Sequence, residues 1–312
     1  MAEHWHIIGR GSIGLLWAHQ LNQLGHSVKL LVKNSTSATI TQLQFTATTG
    51  EQTLFSVMVN NIDNLASSTT TINYLLVPLK AYDILPAIKQ IKPYIHATTL
   101  VILCHNGMGT IEQVQAELGA EQPLMFVSTT HGAYRKNPQH VVHTGLGATK
   151  AGWINSYWPS SDQYSGKEVS DTINKILPPL SWHEDINQVL WQKLAINCVI
   201  NPITAIKQCK NGELTTPRFA EQIQRLCQEI SEVANHCGQT FTPAGLADSC
   251  DEVIRATAAN FSSMNRDIAA SRLTEIDYIN GYLINKAQLL GIEVPENQAL
   301  YQQIKALQSR SQ

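Results

Sequence analysis

Lys193, Asn197 and Asn201 stand four residues apart in WQKLAINCVINP, residues 191 to 202, a stretch that is otherwise almost wholly apolar. On an α-helix such steps return to nearly the same face, drifting by about 40° each, so the three polar side chains form one row. Leu194, Ala195, Ile196, Cys198, Val199 and Ile200 cover most of the remaining circumference, the pattern of a helix buried on nearly every side. A buried polar row must meet partners or a ligand, because an unsatisfied group costs roughly 1–3 kcal/mol and a charged one more. Two plainer readings stay open from this stretch alone. Lys193 lies near the start of the apolar run and could snorkel to water, and Asn201 before Pro202 could simply end the helix.

A second set of residues points to phosphate. HWHIIGRGSIGLLWAHQLNQLGHSVKLLVKN runs from a short apolar strand through Gly9, Gly11 and Gly14 into an amphipathic helix that ends at Gly25, and a second strand, Ser27 to Val32, follows at once. In that context G-x-G-x-x-G reads as a dinucleotide loop: Gly9 for the tight turn, Gly11 for close approach of a pyrophosphate, Gly14 for helix packing. The phosphates would meet the free N–H groups of the helix N-terminus. NAD sites place an acid at the end of the second strand, where this chain has Lys33, Asn34 and Ser35. A cation with two small hydrogen-bonding neighbours suits a 2′-phosphate, so the expected cofactor is NADPH; the alternative is a solvated lysine at a strand end.

Other polar positions follow further strands. Open α/β sheets bind ligands beyond the carboxyl ends of their strands. NYLLVPLKAYD puts Lys80 past one strand, and TLVILCHNGMGT puts Asn106, Gly107 and Gly109 past the next, with a helix starting near Thr110 and Glu112. Two glycines there bracket a place where backbone must come close to something, and Asn106 can both donate and accept. Ser262 and Ser263 are expected to end an alanine-rich helix. Glu275 is expected in a helical first turn, with Thr274 as cap and Asp277 completing a capping box. Taken alone, an acid in a first turn is ordinary.

The elements that must carry these groups fall into two kinds. Strand–helix alternation dominates the first half, and residues 133 to 153 read as two more short strands carrying the sheet to its far edge. From about Asp185 strand signals give way to helical periodicity in PRFAEQIQRLCQEISEVANHCG, AGLADSCDEVIRATAANFSSM and LTEIDYINGYLINKAQLLGI. The expected architecture is an α/β Rossmann-type N-terminal domain, 1–183, joined by a short approach to an all-α C-terminal domain, 184–312.

Composition sets the class. The 312 residues are 43% hydrophobic, and 22 Lys+Arg against 24 Asp+Glu give a formal charge of −2, so nothing favours nucleic acid or an anionic membrane as partner. The longest apolar runs fall short of the roughly 20 residues that span a bilayer. No secretory signal is visible, and a cytoplasmic location is expected. The six cysteines lack a C-x-x-C pair and read as buried reduced thiols. HVVH, with His140 and His143, reads as a strand rather than a metal site, and no metal is assigned.

The motifs GRGSIG, HNGMGT, KLAINCVINPITAI, NGEL, SSMNRDI and TEIDYINGYL occur in this order over almost the whole chain. Together they resemble the ketopantoate reductase family, the 2-dehydropantoate 2-reductases of pantothenate biosynthesis. The resemblance implies an NADPH-dependent enzyme, monomer or homodimer, pairing a Rossmann domain with a helical domain of 6-phosphogluconate-dehydrogenase-like architecture, the active site between them. It implies Gly9, Arg10, Gly11, Ser12, Ile13, Gly14, Lys33, Lys80, Asn106, Ala133 and Glu275 as cofactor contacts, Ala133 through its backbone. Lys193 resembles the family's catalytic lysine, and Glu275 the glutamate that contacts the nicotinamide ribose and organises the substrate. Asn106, Asn197, Asn201, Asn211 and Ser263 resemble substrate or cofactor contacts. Lys193 would act as general acid on the C2 oxygen of ketopantoate, its pKa brought towards neutrality by burial. Some members carry arginine in place of Lys33, and lysine cannot make the bidentate fork on a phosphate. A reductase of another small keto acid, or a non-catalytic dinucleotide sensor, would share the glycine loop; a sensor would have no need of Lys193 with Glu275.

Overall fold

The computed structural model describes residues 4–33, 38–67, 72–155 and 166–309. The chain forms two compact units, Met1–His105 with Thr110–Ile186, and Asn106–Gly109 with Asn187–Gln312.

The first unit contains β1 (His4–Ile8), α1 (Ser12–Gln23), β2 (Ser27–Val32), β3 (Thr39–Thr46), β4 (Gln52–Asn61), β5 (Tyr74–Val77), α2 (Ala81–Ile91), β6 (Leu100–Leu103), α3 (Thr110–Leu118), β7 (Leu124–Thr129), β8 (Gly132–Asn137), β9 (His140–Gly145), β10 (Thr149–Trp153), α4 (Gly166–Ile176) and β11 (Leu180–Trp182). One sheet joins them in the order β11-β10-β7-β6-β5-β1-β2-β4-β3-β9-β8. Its centre is parallel, β2–β1–β5–β6–β7. β5 and β6 are buried along their whole length, which is why YLLV and LVIL read as unbroken apolar runs rather than alternating ones. Trp5 on β1 stacks on Tyr74 of β5 at 4.3 Å between ring centroids, and Trp17 of α1 lies 6.1 Å from Trp5. These rings, with Leu15, Leu16 and Leu21, seat the glycine-loop helix on the sheet.

The stretch expected to supply two strands at one edge supplies three, divided between both edges. β10 pairs antiparallel with β7 and carries β11 outside it, whereas the β8–β9 hairpin joins β3 at the opposite edge. The hairpin β3–β4, which the sequence reading did not assign, makes the difference. Phe45 and Phe55 on it form an apolar face with Val141 of β9, and His19 of α1 stacks on Phe45 at 3.7 Å. That face brings β8 and β9 against α1.

The second unit consists of α5 (Ile186–Lys207), α6 (Ala220–His236), α7 (Pro243–Ala256), α8 (Ser263–Ala269), α9 (Asn280–Leu290) and α10 (Pro295–Ser309), with short 3-10 turns between some of them. α5 is long and apolar enough to cross a membrane by length and composition, but most of its apolar stretch is buried inside the fold, as in a core helix. A buried polar chain ties four helices together. Glu229 of α6 accepts from the backbone N–H of Glu296 and Asn297, a carboxylate at the positive end of α10. Asn297 Nδ2 donates back to Glu229, and Asn280 Nδ2 on α9 donates to Asn297 Oδ1 and to the Cys198 carbonyl of α5.

Candidate active site

The glycine loop in the first unit has the form a dinucleotide phosphate requires. Gly9 sits at φ +87°, a conformation L side chains rarely adopt. A Cβ on Gly14 would meet Pro78 Cγ at 3.0 Å and Ile7 Cγ2 at 3.3 Å, so this glycine sets how closely α1 lies on the strands. Gly11 differs, because a Cβ there would meet only the Pro78 carbonyl at 3.6 Å, an ordinary contact. The fold itself does not demand a glycine at 11. Gly11 is also the N-cap of α1, with no side-chain cap and no acid in the first turn, so no side chain caps or neutralises the helix's positive end there.

The other expected cofactor residues lie around this loop in different ways. Gly9 N–H donates to Leu31 O at 2.7 Å, which fixes the loop beside the end of β2, and Lys33 is exposed just past that strand. Asn34 and Ser35 lie outside the described residues. Lys80 is the half-buried residue that opens α2. Ala133 sits on β8 beside a register shift. Arg135 Nη1, two residues along the same strand, donates to the Arg10 carbonyl at 2.8 Å and so ties β8 to the glycine loop.

In the second unit, Gly107 and Gly109 have φ +81° and +95°. What comes close to them is the chain's own 275–282 segment. A Cβ on Gly107 would lie 2.5 Å from the Tyr278 carbonyl and one on Gly109 3.1 Å from the Tyr282 ring, while Met108 N–H donates to Tyr278 O at 2.8 Å. This docking brings Asn106 Nδ2 to 3.5 Å from Glu275 Oε2, joining two expected site residues 169 positions apart in sequence. Tyr282 in turn meets Trp191 of α5, 5.8 Å between rings, two residues before Lys193.

α5 carries the polar row unbroken. Lys193 and Asn197 are half-buried and Asn201 is 7% exposed. Asn201 does not end the helix, which runs through Pro202 to Lys207. Proline has no N–H for the carbonyl four residues back, that of Cys198. Asn280 Nδ2 bonds that carbonyl instead, at 3.0 Å, so the helix passes its proline with the row intact. Asn280 escaped the sequence reading, although Pro202 within an apolar helix marks Cys198 as a carbonyl needing a donor. Burial pushes the Cys198 thiol far up, leaving it an inert core group beside Asn197. The other cysteines are also free thiols, all buried except the half-buried Cys237.

Three expectations require correction. Ser262 and Ser263 do not end a helix: α7 stops at Ala256, and Ser262 caps a new helix, accepting from Asn265 N–H at 3.1 Å. The sequence after Ala256 is TAANF, residues 257 to 261, with too few core positions to hold a helix down. Ser263 is then the exposed first residue of α8. Glu275 is not in the first turn of an α-helix; it precedes a 3-10 turn, Ile276–Tyr278, and α9 begins only at Asn280. No capping box forms, because Thr274 bonds Gln308 and Asp277 turns to Tyr301 and Lys305. Glu275, 3% exposed, is thereby a buried acid facing Asn106.

Ser262 and Asn265, either side of Ser263, are tied to the end of α5. Thr204 Oγ1 meets Ser262 Oγ at 2.8 Å, and Asn265 Nδ2 donates to the Thr204 carbonyl. Asn211 donates its backbone N–H to Asn260 O and its Nδ2 to Thr257 Oγ1, and its buried Oδ1 has no partner among the described residues. His140 and His143 stand on β9, where Nε2 of His140 meets Thr46 Oγ1 and Nε2 of His143 meets Nδ1 of His131.

Comparison with known proteins decides the family. The model of ketopantoate reductase PanE/ApbA matches residues 5–156, and that of its C-terminal domain residues 185–308. The 2-dehydropantoate 2-reductase of Vibrio cholerae is 37% identical over 302 residues, 97% of each chain. This chain belongs to the ketopantoate reductase family. A solved structure of a probable 2-dehydropantoate 2-reductase from Bacillus subtilis, 27% identical, superposes with a TM-score of 0.76 over 97% of this chain and 99% of that one. A D-mandelate dehydrogenase solved with NADH and anilino(oxo)acetate, 19% identical, shares the fold with a TM-score of 0.86 over 99% of both chains. The ketopantoate reductase fold thus also carries a dehydrogenase named for another 2-hydroxy acid.

Proposed function

We propose that this chain reduces ketopantoate to pantoate with NADPH, and that Lys193 is the general acid. The observation that carries this reading is the full-length 37% identity to the Vibrio cholerae 2-dehydropantoate 2-reductase. The residues supply the mechanism. The glycine loop would hold NADPH, which when bound would supply the hydride for the C2 carbonyl carbon. The uncapped N-terminus of α1 would take the pyrophosphate, and Lys33 the 2′-phosphate. Lys193 Nζ donates a proton to the carbonyl oxygen as negative charge develops there, so one hydride and one proton convert the ketone to an alcohol. Asn197 and Asn201, one and two turns along α5, would hold the substrate beside that ammonium, with Ser263 and Asn211 as further contacts. The buried Glu275 accepts from the Asn106 amide and would orient it towards the substrate.

The test is oxidation of NADPH with ketopantoate beside 2-ketoisovalerate, which lacks the hydroxymethyl group. Fast turnover with ketopantoate alone is expected. Equal turnover would transfer the assignment to a broader 2-keto acid reductase, and tight NADPH binding without turnover of either would favour a sensor.

A further inference from the structure

Arg10 and Arg135 are bonded into the same corner beside the glycine loop, and the family resemblance, which counts Arg10 among the cofactor contacts, gives Arg135 no task. Arg135 Nη1 donates to the backbone carbonyl of Arg10, and Arg10 Nη2 donates at 3.2 Å to the carbonyl of Pro138, in the turn between β8 and β9. Both bonds go to neutral carbonyls. Among the described residues neither arginine has a carboxylate within ion-pair distance, and Arg10 Nε is buried with no partner. Burial and the like charge of Arg135 both disfavour the charged form of Arg10. Two adjacent cations held together without an acid are destabilising until an anion arrives.

Strand register says which anion. β1 and β2 are parallel with Ile8 opposite Leu31, so Arg10 and Lys33 each stand two residues beyond the same rung of neighbouring strands. The end of β2 is where a Rossmann-type site meets the 2′ position of the adenosine ribose. The cations therefore collect at that end of the cofactor site rather than at the nicotinamide end.

We infer that Arg10 and Arg135, with Lys33, form a cationic clamp for the 2′-phosphate of NADPH, Arg135 reaching the site from β8 across the edge of the sheet. Lys33 alone is an exposed point charge; the guanidinium pair adds the planar donors that grip a phosphate through two oxygens. The inference rests on the NADPH reading above and names the residues that would enforce it.

Binding measurements without turnover test it. Wild type, Arg135→Gln and Arg10→Gln are titrated by calorimetry with NADPH, NADH, 2′,5′-ADP and 5′-ADP, and each variant's thermal unfolding without ligand is recorded. Each variant should lose affinity for NADPH and 2′,5′-ADP by about tenfold or more, the size of one charge-assisted hydrogen bond, with NADH and 5′-ADP unchanged. Equal losses for both cofactor pairs, or none, would overturn the clamp. A wild type that binds NADPH no more tightly than NADH would overturn the NADPH reading itself, a different result from a wild-type preference that survives both substitutions. Raising the salt concentration should erode the wild-type preference and leave NADH affinity nearly constant.

Discussion

At the scale of single residues, the site is marked by groups that a folded core does not tolerate without a task. Glu275 is buried to 3% exposure and faces an amide delivered by a loop 169 residues away. Hydrogen bonds to charged groups are worth about 1.5–3 kcal/mol, so Asn106→Ala should reduce kcat/KM for ketopantoate roughly 10- to 100-fold. Glu275→Gln should cost a comparable amount. If the two act as one unit, the double variant loses little more than either single one; a steady-state cycle giving simply additive losses would show that they act independently. The polar row of α5 was legible from the four-residue spacing alone, because that spacing survives folding as geometry. Glu275 was legible as a residue but not in its setting. Its sequence neighbours satisfy a capping-box pattern, yet Gln308 and Tyr301, far along the chain, take Thr274 and Asp277 away.

At the scale of elements, α5 works as a rigid carrier because a neighbouring helix repairs its proline defect. Asn280 is fully buried and supplies the donor that Pro202 cannot give to the Cys198 carbonyl. Asn280→Leu should lower stability by about 1–3 kcal/mol through that orphaned carbonyl, and by more if Asn297 Oδ1 is also left unpaired. Pro202→Ala restores a backbone N–H at the right place, so in the Asn280→Leu background it should recover part of the loss; urea unfolding of the four proteins reads this out. A Pro202→Ala change that deepens the loss would remove the repair from the account. Local elements such as β1, α1 and β2 followed from hydrophobic period and glycine placement. The β8–β9 hairpin did not, because which sheet edge it joins depends on the Phe45 and Phe55 face of β3–β4, a long-range packing choice with no local signature.

At the scale of the whole molecule, buried neutral histidines should set how the protein meets acid. His6 and His19 are held down to about 4, chiefly by burial, with the like charges of Lys29 and His143 adding to it respectively. In the unfolded chain each binds a proton near pH 6.5, so between about 6.5 and 4 the unfolded state holds more protons and is favoured as pH falls. The melting temperature should therefore be level above about pH 7 and decline between 6.5 and 4, each histidine contributing on the order of 3 kcal/mol at the acid end. His6→Gln should flatten that decline, and a slope unaltered by the change would assign it elsewhere. The central claim is that the polar row of α5 donates the proton in ketopantoate reduction. The most direct test is the pH profile of kcat for wild type and Lys193→Ala, with NADPH affinity measured on both. A fall in kcat of about 10²- to 10⁴-fold and loss of the wild-type basic limb, with NADPH still bound tightly, are predicted. An unchanged rate and profile in Lys193→Ala would contradict the account.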